Sequence, residues 1–248
     1  MPGAAGSEAS AIAAPDPVAP LKANWCPSPN HGRRRDGLKP HLVVLHYTAM
    51  TSAEAALARL CDPAAEVSAH YLIGRDGQLW QMVREDLRAW HAGAGVGRGH
   101  EDIKARSIGI ELDNTGHHPF SAPQMAVLEG LLRQLMTRWE IPPEGVIGHS
   151  DMAPGRKIDP GPRFDWGQLA ALGLARATPA ITGGTRLCDP DVPLSADLLR
   201  RYARDLGYTA PVDDATLLAA LRLRYRPWAQ GPLAAEDVEP LVQSDLWV

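Results

Sequence analysis

No stretch of this chain approaches the ~20 consecutive apolar residues that a membrane-crossing helix requires. The first twenty residues, Met1 to Pro20, are rich in Ala, Gly, Ser and Pro. They lack the basic region followed by an apolar run that marks a signal peptide. Lys22, Asn24 and Trp25 stand where the apolar part of a lipoprotein leader would precede Cys26. As written, the chain reads as cytoplasmic, and a periplasmic address would require a leader already removed. An excess of basic charge is also missing. A net charge of −4 and a pI near 6.1 argue against nucleic acid as a general partner, since phosphate binding wants a basic face. Cysteine is scarce: Cys26, Cys61 and Cys188 are three in number, widely spaced and without a CxxC pair. They suit neither a disulfide framework nor a thiolate metal site, and read as buried or idle thiols.

What remains is an ordinary globular composition, 45% hydrophobic and 22% charged over 248 residues, enough for one or two domains with a real core. Residues 1–37, punctuated by Pro, Gly and Arg, read as an extended, partly disordered surface segment. His41 to Tyr47 reads as a buried strand, and Thr51 to Glu54 as a capping box opening a helix to Leu60. Asp76-Gly77 signals a hairpin between Ala69–Ile73 and Gln78–Val83. Ser107 to Leu112 reads as a further strand. Ser121 to Trp139 carries apolar residues at helical spacing, with Ser121 and Gln124 as a capping box and Pro142-Pro143 as the stop. Gly145 to Gly148 is a short strand. This order implies an α/β fold with a mixed central β-sheet flanked by helices. A linker-like stretch, 178–193, then leads to a small all-helical module over 194–248. Its helices fall at Ser195–Leu206, Asp213–Arg224 and from Ala234 toward Gln243, the last weakened by Pro240.

The chemistry concentrates in Gly148 to Gly161. His149 and Asp159 lie on one loop stiffened by Pro154 and Pro160, with Arg156 and Lys157 between them. Far upstream, His46 closes the apolar run Leu42 to Leu45. Two histidines and an aspartate form the kind of three-ligand set that leaves zinc an open coordination position, which suits hydrolysis rather than a structural role. A lone histidine after an apolar run is more often a core residue, so His46 counts through its company. His31, His41, His70, His91, His100, His117 and His118 are rivals. Glu111 sits within an apolar strand, where burial would raise its pKa as suits a general base; the alternative is an edge glutamate facing water. Lys157 either donates to a developing oxyanion or is a solvated loop lysine.

Taken together, Leu42–Tyr47, Ala89-Trp90-His91-Ala92-Gly93, Ser107–Asn114 and Gly148–Pro162 resemble the zinc-dependent N-acetylmuramoyl-L-alanine amidases of the AmpD/AmiD type. These share a fold with phage amidase lysozymes and peptidoglycan recognition proteins. The resemblance spans about residues 38–175, so an amidase domain is expected over 38–177. It implies His46, His149 and Asp159 as ligands of Zn2+, Glu111 as the catalytic glutamate and Lys157 as the group that steadies the tetrahedral intermediate. It further implies Trp90, His91, Asn114 and Arg156 as substrate contacts, and a structural place for His70. The expected partner is a peptidoglycan fragment, cleaved between N-acetylmuramic acid (or its 1,6-anhydro form) and L-alanine in cell-wall turnover and recycling. The alternative is a non-catalytic muropeptide-binding module of the same fold. The tail, with Tyr225-Arg226-Pro227, resembles the peptidoglycan-binding-like domain of AmiD-type enzymes. AmiD-type enzymes are usually exported lipoproteins and AmpD-type enzymes cytoplasmic, so the chain joins an AmiD-like layout to an AmpD-like address.

Overall fold

The computed structural model describes residues 21–177 and 193–242. In chain order the strands are β1 (Asn24–Trp25), β2 (His31–Arg33), β3 (Leu42–Tyr47), β4 (Tyr71–Ile73), β5 (Leu79–Gln81), β6 (Leu87–Ala89), β7 (Ser107–Leu112) and β8 (Val146–Gly148). The helices are α1 (Ala53–Cys61), α2 (Ile103–Arg106), α3 (Ala122–Trp139), α4 (His149–Met152), α5 (Trp166–Ala171), α6 (Ala196–Asp205), α7 (Asp214–Tyr225) and α8 (Ala235–Val242). Six strands form one mixed sheet in the order β1-β5-β4-β7-β3-β8, and β2 pairs with β6 in a separate ribbon. β3 lies parallel to both β7 and β8, while β4 and β5 form the antiparallel hairpin expected around Asp76-Gly77.

Side chains alternate across a strand, so β3 and β7 each serve two faces. Val43, Leu45, Ile108, Ile110 and Leu112 join Leu128, Leu132 and Leu135 of α3 in the main core. Leu42 and Val44 point the other way, into a smaller cluster with Ala92, Ile103, Ile147 and Met152. Burial on both faces explains why these strands read as near-continuous apolar runs. The second face, followed to the carboxyl ends of the parallel strands, carries His46 opposite Glu111. β8 ends next to it, so His149 is delivered to the same rim.

Two capping arrangements differ from the sequence reading. The cap of α1 is Ser52, extended at φ −158 and ψ 165, whose side chain accepts from the Ala55 N–H. The helix thus starts one residue later than a Thr51-to-Glu54 box would place it. Ser121 does cap α3, accepting the Gln124 N–H at 3.3 Å. The Gln124 side chain does not turn back to complete a box. It is fully buried and donates to Ile73 O at 2.8 Å and Asp113 O at 3.3 Å, tying the start of α3 to the ends of β4 and β7.

Residues 24–33 are extended, as expected, but they are woven into the domain: β1 pairs with β5 and β2 with β6. Arg34 follows, donating to Glu85 O at 2.8 Å, Ala105 O at 2.9 Å and Ser107 O at 3.0 Å. Short strands of this kind have no periodicity to read, and their partners lie 50 residues or more away. Residues 1–20 and Cys188 lie outside the described residues. Cys26 and Cys61 bring their sulfurs to 3.8 Å, well beyond the ~2.05 Å of a disulfide, so both are free thiols.

The helices α6, α7 and α8 bury Leu199, Ala203, Leu221 and Val238 in a core of their own. Ser195 and Asp213 cap α6 and α7. Asp237, buried, draws Arg222 and Arg226 together at 2.5 Å each. This module sits directly on the sheet domain. Arg98 N–H donates to Gly207 O at 2.8 Å and Gly99 N–H to Thr209 Oγ1 at 2.9 Å. All but the last residue of the expected linker, 178–193, lies outside the described residues. Among the described residues, no helix is long and apolar enough to cross a membrane.

Candidate metal centre

Three side chains distant in sequence meet at the carboxyl ends of β3 and β8. His46 Nδ1 lies 2.8 Å from Asp159 Oδ2 and 3.0 Å from His149 Nδ1, and His149 Nδ1 lies 3.0 Å from the same carboxylate oxygen. All three residues are buried. The loop that returns Asp159 to His149 is pinned by Ser150 N–H donating to Asp159 O at 3.0 Å.

The outer nitrogens decide what the inner ones can be. Ser107 Oγ spends its only proton on Ile103 O at 2.7 Å, so toward His91 Nε2, at 3.1 Å, it accepts. His91 is therefore protonated on Nε2, and its Nδ1 accepts from His46 Nε2 at 3.0 Å. His149 Nε2 faces Ala92 O at 2.9 Å, an oxygen that only accepts. In the neutral rings both inward-facing Nδ1 atoms are then bare lone pairs, and an ionised Asp159 oxygen between them brings no proton either. Burial lowers His46 to about 4, aided by His149 and opposed by Asp159. Three converging lone pairs, held with no proton to share, suit a divalent cation. Imidazoles whose far nitrogen is fixed by a hydrogen bond are the usual form of such ligands.

Glu111, across the β3–β7 ladder from His46, presents an Oε2 that is buried and without a hydrogen-bond partner among the described residues. Burial raises its carboxyl to about 8, Asp159 adds to the rise, and Lys157 opposes it. Glu111, Lys157 and the three donors line one cavity of about 530 Å3. The cavity also takes in Tyr47 from the end of β3 and Arg59 from α1, which no sequence pattern singled out.

The expected substrate contacts divide. Trp90 is half-buried and lines the cavity, its backbone N–H donating to Ser68 Oγ at 2.9 Å. Arg156 lines it too, although its guanidinium reaches back to Ala92 O at 3.2 Å and to Ala94 O. His91 borders the cavity, yet both ring nitrogens are engaged, one by His46 and one by Ser107. Its ring lies over Gly109, where a Cβ would come within 2.3 Å of His91 Cγ. The geometry makes it a support for His46, which its place beside Trp90 did not reveal. Asn114 is not brought to the cavity. It is fully buried, its Oδ1 accepting from Gly116 N–H at 2.7 Å and its amide donating to His118 O at 3.2 Å. An Asn after a strand is a natural turn former, and this one organises its loop. His70 accepts the Gly109 N–H at 2.9 Å and faces Leu87 O at 3.1 Å, away from the three donors.

Residues 36–162 match the family model described as N-acetylmuramoyl-L-alanine amidase. AmiD of Escherichia coli is 34% identical over 226 residues, covering 82% of this chain and 81% of its own. AmpD of Enterobacter cloacae is 37% identical over 169 residues, 61% of this chain and 90% of its own. The crystal structure of AmpDH3 from Pseudomonas aeruginosa in complex with anhydromuramic pentapeptide superposes with a TM-score of 0.73 at 31% identity, covering 85% of this chain and 91% of that one. A shared sheet, a shared helical tail and a matched motif loop leave one conclusion: the chain belongs to the N-acetylmuramoyl-L-alanine amidase family, in its AmpD/AmiD branch.

Proposed function

We propose that the chain hydrolyses the amide between the lactyl group of N-acetylmuramic acid, or its 1,6-anhydro form, and L-alanine in peptidoglycan fragments. The observation that carries this reading is the pairing of three proton-free donors with an unpartnered carboxylate oxygen in one cavity. His46, His149 and Asp159 would hold zinc. When bound, zinc supplies Lewis acidity for the scissile carbonyl and makes water acidic enough to attack near neutral pH.

The chain's own groups supply the rest. Glu111 takes the proton of the attacking water on its free Oε2 and returns it to the departing L-alanine nitrogen. A buried carboxyl facing the cavity can serve both halves of that transfer. Lys157 offers its ammonium to the oxygen that gains charge as the carbonyl becomes tetrahedral. Trp90 walls the groove, and Arg59 and Arg156 give it a cationic rim suited to a peptide stem bearing carboxylates. The named ligand of AmpDH3, an anhydromuramic pentapeptide, supports the same substrate class here. A purely binding role would not require all three donors together with Glu111.

Digestion of anhydro- and reduced muropeptides, followed by mass spectrometry with and without chelator, tests the proposal. Release of the intact peptide stem, abolished by chelator and restored by zinc, is expected. Intact muropeptide after incubation with the zinc-loaded chain would overturn it.

A further inference from the structure

The helix that begins with His149 has only four residues, closed at its end by Ala153 N–H donating to His149 O at 3.0 Å. A single turn does not sustain itself, so its orientation depends on what grips it. The grip comes through Asp151. Its Oδ2 accepts at 2.8 Å from the N–H of Gly148, the residue immediately before His149. The other bonds to this carboxylate come from the helical module, Tyr208 Oη donating to Oδ1 at 2.6 Å and Arg224 Nη1 to Oδ2 at 2.6 Å. Arg224 also donates to Val146 O of β8 at 3.3 Å, and its guanidinium carbon stacks 3.9 Å over the Trp166 ring. Asp151, Tyr208 and Arg224 are all buried.

We propose that Tyr208 and Arg224 are positioning residues for the metal centre, acting on His149 and Asp159 through the carboxylate of Asp151. The inference rests on the metal reading given above. A carboxylate bonded three times by charge-assisted or short hydrogen bonds holds its partners closely. One of those partners is the backbone of the His149 turn. The effect extends to the third donor, because the next residue along the turn, Ser150, holds Asp159 O. Tilting α4 therefore moves two of the three donors together. Gly155, in the same loop at φ +75, presses against Thr216 of α7, so a Cβ there would meet Thr216 Cγ2 at 2.8 Å. The module thus contacts the ligand-bearing loop at both its start and its middle. Its place in the protein is that of a scaffold for the centre, separate from any affinity for glycan.

The test is zinc affinity, measured on the full chain by competition with a chromophoric chelator, alongside kcat and KM on a soluble muropeptide. Tyr208→Phe removes one hydroxyl and keeps the ring; Arg224→Gln removes the charge. Each is expected to weaken zinc binding by about 10–100-fold, the usual worth of a group that orients a ligand, and to lower kcat more than KM. Arg200→Gln, in an exposed pair with Asp214 within the module, should match the parent. A seam that only glued two domains would lower the melting temperature of the metal-free protein and leave affinity intact. Parental zinc affinity in folded Tyr208→Phe and Arg224→Gln overturns the inference, and Tyr208→Phe alone decides if Arg224→Gln does not fold. A parent chain that binds no zinc is a separate result, and defeats the metal reading itself.

Discussion

Glycine at 109 is present so that a histidine can lie on it. With no Cβ there, the His91 ring packs against the strand and reaches His46 Nε2, fixing which nitrogen of His46 faces the other donors. Gly109→Ala should displace that ring and lower zinc affinity by about 10–100-fold, as should His91→Ala, both read by chelator competition. Glu111 makes the opposite prediction. Glu111→Gln should keep its metal while turnover falls by about 10²–10⁴-fold, the range for a positioned acid–base group. Loss of metal in that variant would make Glu111 a ligand and overturn its assigned role. Its raised pKa also has a sign for stability. A carboxyl that ionises at about 8 when folded and near 4.5 when unfolded keeps its proton longer in the native state. The metal-free protein is thus stabilised by this group below pH 4.5, and that stability drains away as pH rises toward 8. Denaturant titrations of parent and Glu111→Gln should diverge over that window, by up to about 1.4 kcal/mol per pH unit in favour of the variant.

At the scale of elements, the site is a consequence of two parallel strands in register. His46 and Glu111 are paired positions on β3 and β7, so the two side chains emerge on one face without a loop to place them. What keeps the ladder in place is the apolar contact on its other face, centred on α3. Leu128 is fully buried there, and Leu128→Ala should cost about 2–5 kcal/mol, measured by urea unfolding. Ser121 caps the same helix, and its replacement by Ala should cost about 1 kcal/mol. Neither change touches a donor, so zinc affinity of the folded protein should stay at the parental value.

Across the whole molecule, the candidate metal site joins parts that are far apart in sequence. Its donors come from β3, α4 and the loop after it, and the helical module braces that loop from behind. Ligand binding to the native state alone raises stability by about 2.7 kcal/mol when free metal is a hundredfold above the dissociation constant. Chelation should accordingly lower the melting temperature by about 5–10 °C for a chain of this size. Scanning calorimetry with and without chelator reads this directly, and an unchanged transition would mean that no metal is held by the native state.

Local pattern was enough for the elements and for the chemical inventory. The apolar runs at Leu42–Tyr47 and Ser107–Leu112, the helical spacing from Met125 to Trp139 and the Asp76-Gly77 turn each follow from side-chain periodicity and turn chemistry within a few residues. His149, Asp159, Glu111 and Lys157 stood out because their residue types sat in stiff or apolar surroundings. Tertiary structure alone decided what those surroundings do. That His91 supports a donor and that Asp151 is shared with Tyr208 and Arg224 depend on contacts across as many as 73 positions. So does the weaving of residues 24–33 into the sheets. Hydrogen bonds at such separations have no local signature, because each partner alone is an ordinary polar residue, and only the folded backbone brings their directions together.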